Sequence, residues 1–153
     1  MVIEKVFKRD GRAPIPDRVA TSNVMSANKA KNTKPEIIFR KMLWSEGITG
    51  YRLHWKKAPG RPDVAFPARK IAIFINGCFW HRCPNCRIHM PKSNTSFWRE
   101  KFNRNVRRDK EKVRLLENDG WEVIIIWECE VRDNIIGCID KTRIALNVRH
   151  KNI

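Results

Sequence analysis

The chain has 153 residues, with 32 Lys and Arg against 16 Asp and Glu, a formal charge of +16. That length suits one domain with a real core and leaves little room for a second. The charge points to a polyanionic partner, nucleic acid first. The lack of any apolar run of 18 residues and of an apolar leader argues against a membrane and for the cytoplasm or the nucleoid.

Residues 1–17 read as an irregular basic arm, broken by Gly11, Pro14 and Pro16, and residues 18–153 as the single domain. From Arg18 to about Lys31 the sequence is polar and compatible with a helix. Thr33-Lys34-Pro35-Glu36 matches a capping box, in which Thr33 accepts from the Glu36 amide and the Glu36 carboxylate reaches back. The helix it opens runs to about Glu46, and Gly47 closes it.

Tyr51–Trp55 reads as a short strand and Ala58–Pro62 as a loop. Asp63–Phe66 and Ile71–Ile75 form a hairpin about Pro67-Ala68-Arg69, and the second of these strands, apolar throughout, is expected at the centre of a sheet. Asn76 to Thr95 lacks a regular period. Ser96 to Asp119 is a strong helix with Phe102, Val106, Val113 and Leu116 tracing its buried stripe. Glu122–Trp127 is a second apolar strand, closed by Glu128-Cys129-Glu130, and residues 133–147 suggest a C-terminal helix. This order predicts a three-layer α/β domain around a mixed sheet.

The chemistry concentrates between Ala58 and His89. Five cysteines in a chain without a secretory signal point to metal rather than disulfides. Cys78-x4-Cys83-x2-Cys86, with the distant Cys129, can supply four thiolates to one structural zinc ion, provided that the strands ending before Cys78 and Cys129 pair in parallel. His81 and His89 compete as ligands, and Cys129 is otherwise a small buried hydrophobe. Cys138 has no nearby partner and reads as a packed thiol.

Asp63, after Gly60-Arg61-Pro62, is a candidate Mg²⁺ ligand at a strand entry, although an aspartate after proline is ordinarily a turn or cap residue. His81 is the natural general base, with a surface position or zinc ligation as its ordinary alternatives. From Arg82 to Arg114 run Arg82, Arg87, Lys92, Arg99, Lys101, Arg104, Arg107, Arg108, Lys110, Lys112 and Arg114, opposed only by Glu100, Asp109 and Glu111. A sign imbalance of this kind favours phosphate contact over a merely solvated face. Lys101 and Asn105, one turn apart, can reach base edges.

GRPD, FINGCFWH, SFWREKFNRNVRRD and IIIWEC together resemble the very short patch repair (Vsr-type) mismatch endonucleases, within the PD-(D/E)xK-like nuclease superfamily. The resemblance spans about Arg18 to Asp133. It implies a restriction-endonuclease-like fold and a Mg²⁺-dependent nick 5′ to the mismatched T of a T·G pair in double-stranded DNA. Asp63 matches the aspartate that holds catalytic magnesium, Ile75 a position whose backbone carbonyl also binds it, His81 the histidine that works beside the metal, and Glu36 a glutamate near the site. Cys78, Cys83, Cys86 and Cys129 match the zinc ligands, Cys86 with one residue more than the expected spacing. Phe79, Trp80 and Trp98 match aromatics that wedge between base pairs, while their ordinary reading is core packing.

One departure stands out. Asn76 occupies the place of a second active-site histidine and cannot carry a proton, which leaves acid-base work to His81 and hydrated magnesium. A restriction-type enzyme of the same fold cutting matched DNA, or a non-catalytic zinc DNA-binding module, are the alternatives. The expected partners are DNA and, functionally, a cytosine-5 methyltransferase system and mismatch-repair proteins, with the chain acting as a monomer.

Overall fold

The computed structural model describes residues 29–150. The basic arm and most of the helix expected before Lys31 lie outside that range, and residues 29–31 are irregular rather than helical. In chain order the elements are α1 (Lys34–Ser45), β1 (Arg52–Leu53), β2 (Val64–Phe66), a short 3₁₀ turn (Pro67–Arg69), β3 (Ile71–Asn76), α2 (Cys78–His81), α3 (Thr95–Asn118), β4 (Glu122–Trp127), α4 (Glu128–Asp133) and α5 (Ile135–His150). No helix among the described residues is long and apolar enough to cross a membrane.

Helix α1 starts where the sequence places it, with Pro35 in its first turn, but its cap differs from the predicted box. The Thr33 side chain bonds no backbone amide. Its hydroxyl donates instead to Glu36 Oε1 at 2.9 Å, and the Asn32 amide donates to Glu36 Oε2 at 3.0 Å. Glu36 is buried, so both carboxylate oxygens need donors, and a charged acceptor holds the hydroxyl better than a neutral cap does. Phe39 and Leu43 turn the other way and are fully buried.

The four strands lie in the order β1-β2-β3-β4. β1 pairs with β2 and β2 with β3 antiparallel, while β3 and β4 are parallel from Ile71↔Glu122 to Asn76↔Trp127. The sheet is therefore mixed, with β3 inside it and every β3 residue buried. The strand expected over Tyr51–Trp55 shortens to two residues because His54 adopts a φ of 47°, which ends extended pairing. β4 reads as apolar as β3 yet is an edge strand, and of its residues only Ile126 is buried.

Alternation along β3 separates two apolar layers. Ile71, Ile73 and Ile75 face Phe39 and Leu43 of α1, Val131 of α4, and Cys138, Ile139 and Ala145 of α5. Ala72 and Phe74 face Leu116 of α3, together with Ala58, Ala65 and Trp121. The sheet is covered on both faces.

Two stretches are more regular than the sequence suggests. Asn76 belongs to β3 rather than to the irregular segment, and the next residues but one form α2, a single turn that ends when Arg82 takes a φ of 55°. The residues expected to close β4 open α4, and the C-terminal helix starts only at Ile135, after a break at Asn134 (φ −151°). Glu130 Oε2 accepts the Trp127 amide at 2.9 Å, which satisfies a free donor at the start of α4.

Candidate active site and cysteine cluster

The parallel β3–β4 register brings the ends of both strands together. Cys78 and Cys129 each lie two residues past the paired Asn76 and Trp127, and Glu128 ties the two ends by accepting the Cys78 amide at 3.1 Å. One sulfur from each of Cys78, Cys83, Cys86 and Cys129 lies within 4.8 Å of the others. Cys83 Sγ and Cys129 Sγ are 3.8 Å apart. That matches the edge of a tetrahedron with metal–sulfur bonds of about 2.3 Å. Burial pushes the Cys78 and Cys129 thiols up from their ordinary pKa, whereas the Asn85 amide and the neighbouring cysteines draw Cys83 down against its own burial, so gathering four thiolates calls for a cation. The donor set fits zinc. His81 and His89 are not part of it, and Cys138 lies buried on α5, packed among apolar neighbours.

A second cluster is built from two carboxylates and an imidazole. Asp63 stands just before β2, where its Oδ2 accepts the Ile75 amide of β3 at 2.8 Å. Burial, reinforced by the negative charge of Glu36, raises its pKa from 3.8 to about 6, against the lowering effect of the Ile75 amide, Lys112 and His81. A carboxylate held against its own charge in this way is a ready cation ligand. His81 acts on Asp63 only through its charge, the smallest of these influences. Glu36 reaches Asp63 from α1, since one donor atom from each of Glu36, His54 and Asp63 lies within 4.8 Å of the others. The oxygens fit a hard divalent ion.

His81 Nδ1 pairs with Asp109 Oδ2 of α3 at 2.5 Å. A carboxylate only accepts, so Nδ1 is the donor of this pair. Lys112, one turn further along α3, sits 3.7 Å from Asp109 Oδ1 and 5.7 Å from the centroid of the Phe74 ring. Gly60 makes room for it: a Cβ there, at a φ of 72°, would meet Lys112 Cγ at 2.7 Å. Gly60→Ala is accordingly expected to displace Lys112 and lower stability by about 1–3 kcal/mol, read by urea unfolding. Asn76 is buried at the end of β3, on the same face as Phe74 by alternation.

Phe79, Trp80 and Trp98 come together with the buried Phe102 beneath them. Phe79 lies edge-on to Trp80 at 5.0 Å and to Phe102 at 5.1 Å, and Trp98 stacks on Phe102 at 5.6 Å. All three named aromatics are only half-buried. Lys101 Nζ lies 5.4 Å from the Trp80 ring and 5.7 Å from the Trp98 ring. Asn105 donates its amide to the Trp80 carbonyl at 3.0 Å and accepts from Arg108 at 3.1 Å, so its side chain serves the α2–α3 junction in this state.

The basic face is smaller than the sequence suggests. Arg82 turns inward over Phe102 at 4.5 Å and donates to the Ile88 carbonyl at 2.9 Å, and Lys112 belongs to the Asp63 site. Arg99, Arg104, Arg107, Arg108, Lys110 and Arg114 of α3 remain exposed.

Three residues of the site escape a reading of the sequence: His54, Asp109 and Lys112. Asp109 carried a usable signal, because Phe102, Val106, Asp109, Val113 and Leu116 recur at helical spacing, which sets an acid inside the apolar stripe.

A family model described as DNA mismatch endonuclease Vsr matches residues 14–87. A type II nicking enzyme of Xanthomonas oryzae pv. oryzae, V.XorIIP, is 42% identical over 131 residues, 85% of this chain and 88% of the relative. V.NmeAIP, a type II nicking enzyme of Neisseria meningitidis serogroup A, is 42% identical over 75% of this chain and 81% of its own length. The DNA mismatch endonuclease Vsr of Escherichia coli strain K12 is 34% identical over 78% of this chain and 76% of its own. With its cysteine cluster, its carboxylate–histidine centre and these relatives, the chain belongs to the Vsr family and is a DNA endonuclease.

Proposed function

We propose that the protein nicks one strand of duplex DNA 5′ to the mismatched thymine of a T·G pair, leaving a 5′-phosphate and a 3′-hydroxyl. One observation carries this reading: the half-exposed aromatics Phe79 and Trp80 and the imidazole of His81 leave the same helical turn, which couples a wedge to a hydrolytic centre. Unstacking a step costs a few kcal/mol, and a mismatched step is already weakly stacked, so the wedge itself discriminates. Two of the relatives are named as nicking enzymes and one as a mismatch endonuclease, which supports both halves of the reading.

In this reading the fold is that of the restriction-endonuclease-like nucleases, Asp63, Glu36 and the Ile75 carbonyl would hold magnesium, and the four cysteines would hold zinc. When bound, magnesium polarises the phosphodiester and offsets charge on the leaving oxygen. His81 Nε2 takes a proton from the attacking water, and Asp109 stabilises the imidazolium that results. The Asn76 amide orients a phosphate oxygen or the water by hydrogen bonding. Lys112 adds a positive charge beside the phosphate, and the exposed α3 arginines hold the DNA backbone. Lys101 and Asn105 lie where the base edges next to the wedge would pass, Asn105 by exchanging its Trp80 contact.

The test is a strand-resolved assay on matched and T·G duplexes with Mg²⁺. A single religatable nick 5′ to the T, only in the mismatched duplex, is the expected result. Double-strand cuts in matched DNA would replace this reading with the restriction type, and binding without cleavage with the non-catalytic module.

Asp109→Asn is expected to lower the single-turnover rate about 10- to 100-fold with little change in DNA affinity, since it acts through the orientation of His81. A parallel loss of DNA binding would assign Asp109 to folding instead.

A further inference from the structure

His54 follows β1 at a φ of 47°, and its amide donates to the Asp63 carbonyl at 3.1 Å. That backbone contact sets the imidazole between the two acids. Its Nδ1 lies 3.9 Å from Asp63 Oδ1, and its Nε2 lies 3.7 Å from Glu36 Oε2. Nε2 also lies 3.4 Å from Asn32 Oδ1.

Arg40 settles which nitrogen carries the proton. Its Nη1 donates to Asn32 Oδ1 at 2.8 Å, and a guanidinium can only donate, so the Asn32 atom facing it is the oxygen. The same oxygen faces His54 Nε2, which must then be the N–H. In the neutral ring Nδ1 is then the nitrogen with the lone pair, on the side of Asp63. Two acceptors 3.9 Å apart make no bond to one another. Their separation is, however, less than two metal–ligand bonds of about 2.1 Å each. A ring N–H fixed by a neighbouring acceptor is also what ligating histidines ordinarily show.

We infer that His54 is a ligand of the catalytic metal ion through Nδ1, and that this nitrogen makes the site prefer a first-row transition ion to Mg²⁺. Mg²⁺ favours oxygen donors and octahedral hydration, whereas imidazole adds affinity for softer divalent ions. The inference rests on the reading of Asp63 as a metal ligand.

Mn²⁺ titrated into the full-length zinc-loaded protein tests it, followed by electron paramagnetic resonance and by electron spin-echo detection of nitrogen coupling. Imidazole coupling is expected in the wild type and in His81→Gln, and is expected to vanish in His54→Gln. His54→Gln is also expected to weaken Mn²⁺ binding about tenfold or more while changing Mg²⁺ competition less than threefold. No nitrogen coupling in the wild type, or coupling that survives in His54→Gln, would overturn the role of His54. If Asp63→Asn left Mn²⁺ affinity unchanged, the underlying assignment of Asp63 would fail instead. An Asp63→Asn loss alongside an unaffected His54→Gln would sink the His54 inference alone.

Discussion

Asp63→Asn is expected to stop cleavage and, at pH 8 without added magnesium, to make the protein harder to unfold. The carboxyl has a pKa raised from 3.8 to about 6 by burial and by Glu36. A folded-state value above the unfolded one means that the fold prefers the protonated form. Ionisation therefore removes stability as the pH climbs from about 4 to about 6, and the deficit stays constant above that. A shift of roughly two units corresponds to at most about 3 kcal/mol. The side chain is 19% exposed, so solvent screening reduces the figure, and a gain of about 1–2 kcal/mol for the asparagine variant is expected.

Asparagine can still accept from the Ile75 amide through its own oxygen, so the strand contact survives. The gain is absent near pH 3, where the wild-type carboxyl is protonated in both states. Urea unfolding at several pH values reads the stability, and single-turnover nicking reads the loss, expected at about 10³-fold or more for a missing pre-organised charge. An asparagine variant that is less stable than wild type at pH 8, or that cleaves at a tenth of its rate, would contradict this account. Function here is held at the expense of the fold, as strained active sites commonly are.

The second large effect concerns sulfur. On the zinc reading, Cys83→Ala or Cys129→Ala is expected to lower the melting temperature by more than about 10 °C, to release the metal and to stop cleavage. Structural zinc contributes many kcal/mol where it ties distant segments, and here it would join the turn after β3 to the start of α4. Cys138→Ala is the internal comparison. It removes a buried thiol from α5, costs about 1 kcal/mol and leaves one zinc per chain by elemental analysis. Equal metal content in all three variants would dissolve the zinc assignment, while a matched loss of stability would make Cys138 part of the knot.

What could be read from the residues alone follows from how local each signal is. Pro35 after Thr33, the apolar run Ile71–Ile75 and the stripe through Phe102 and Leu116 each announce an element within a few residues, and those elements are where they were expected. Cysteine spacing set a condition, the parallel pairing of two strands some fifty residues apart, and the β3–β4 register meets it. Asp63 and His81 stood out as candidates by residue type, and the structure gives them the Ile75 amide and Asp109 as partners.

His54 was not legible, because nothing in Tyr51–Trp55 marks it. Its place depends on the β1–β2 register, Leu53 opposite Val64, which carries the next residue to Asp63. Lys112 was hidden by its neighbours, one charge in a long charged run whose direction only the packing of α3 decides, whereas Asp109 stood inside the apolar stripe and could have been found there. β4 misleads in the opposite way, since an apolar sequence does not say whether a partner lies on one edge or both.

α2 gives successive residues to the cysteine cluster, the aromatic cluster and the pair with Asp109: Cys78, then Phe79 and Trp80, then His81. Each step around a helix turns the side chain by about 100°, so the four positions point in four different directions. Inserting or deleting a single amino acid there would hand every duty to the wrong neighbour at once. The same edit between Cys83 and Cys86 would only lengthen or shorten a surface loop. Tolerance to changes in chain length in this protein is thus expected to switch from none to ample within a span of five residues.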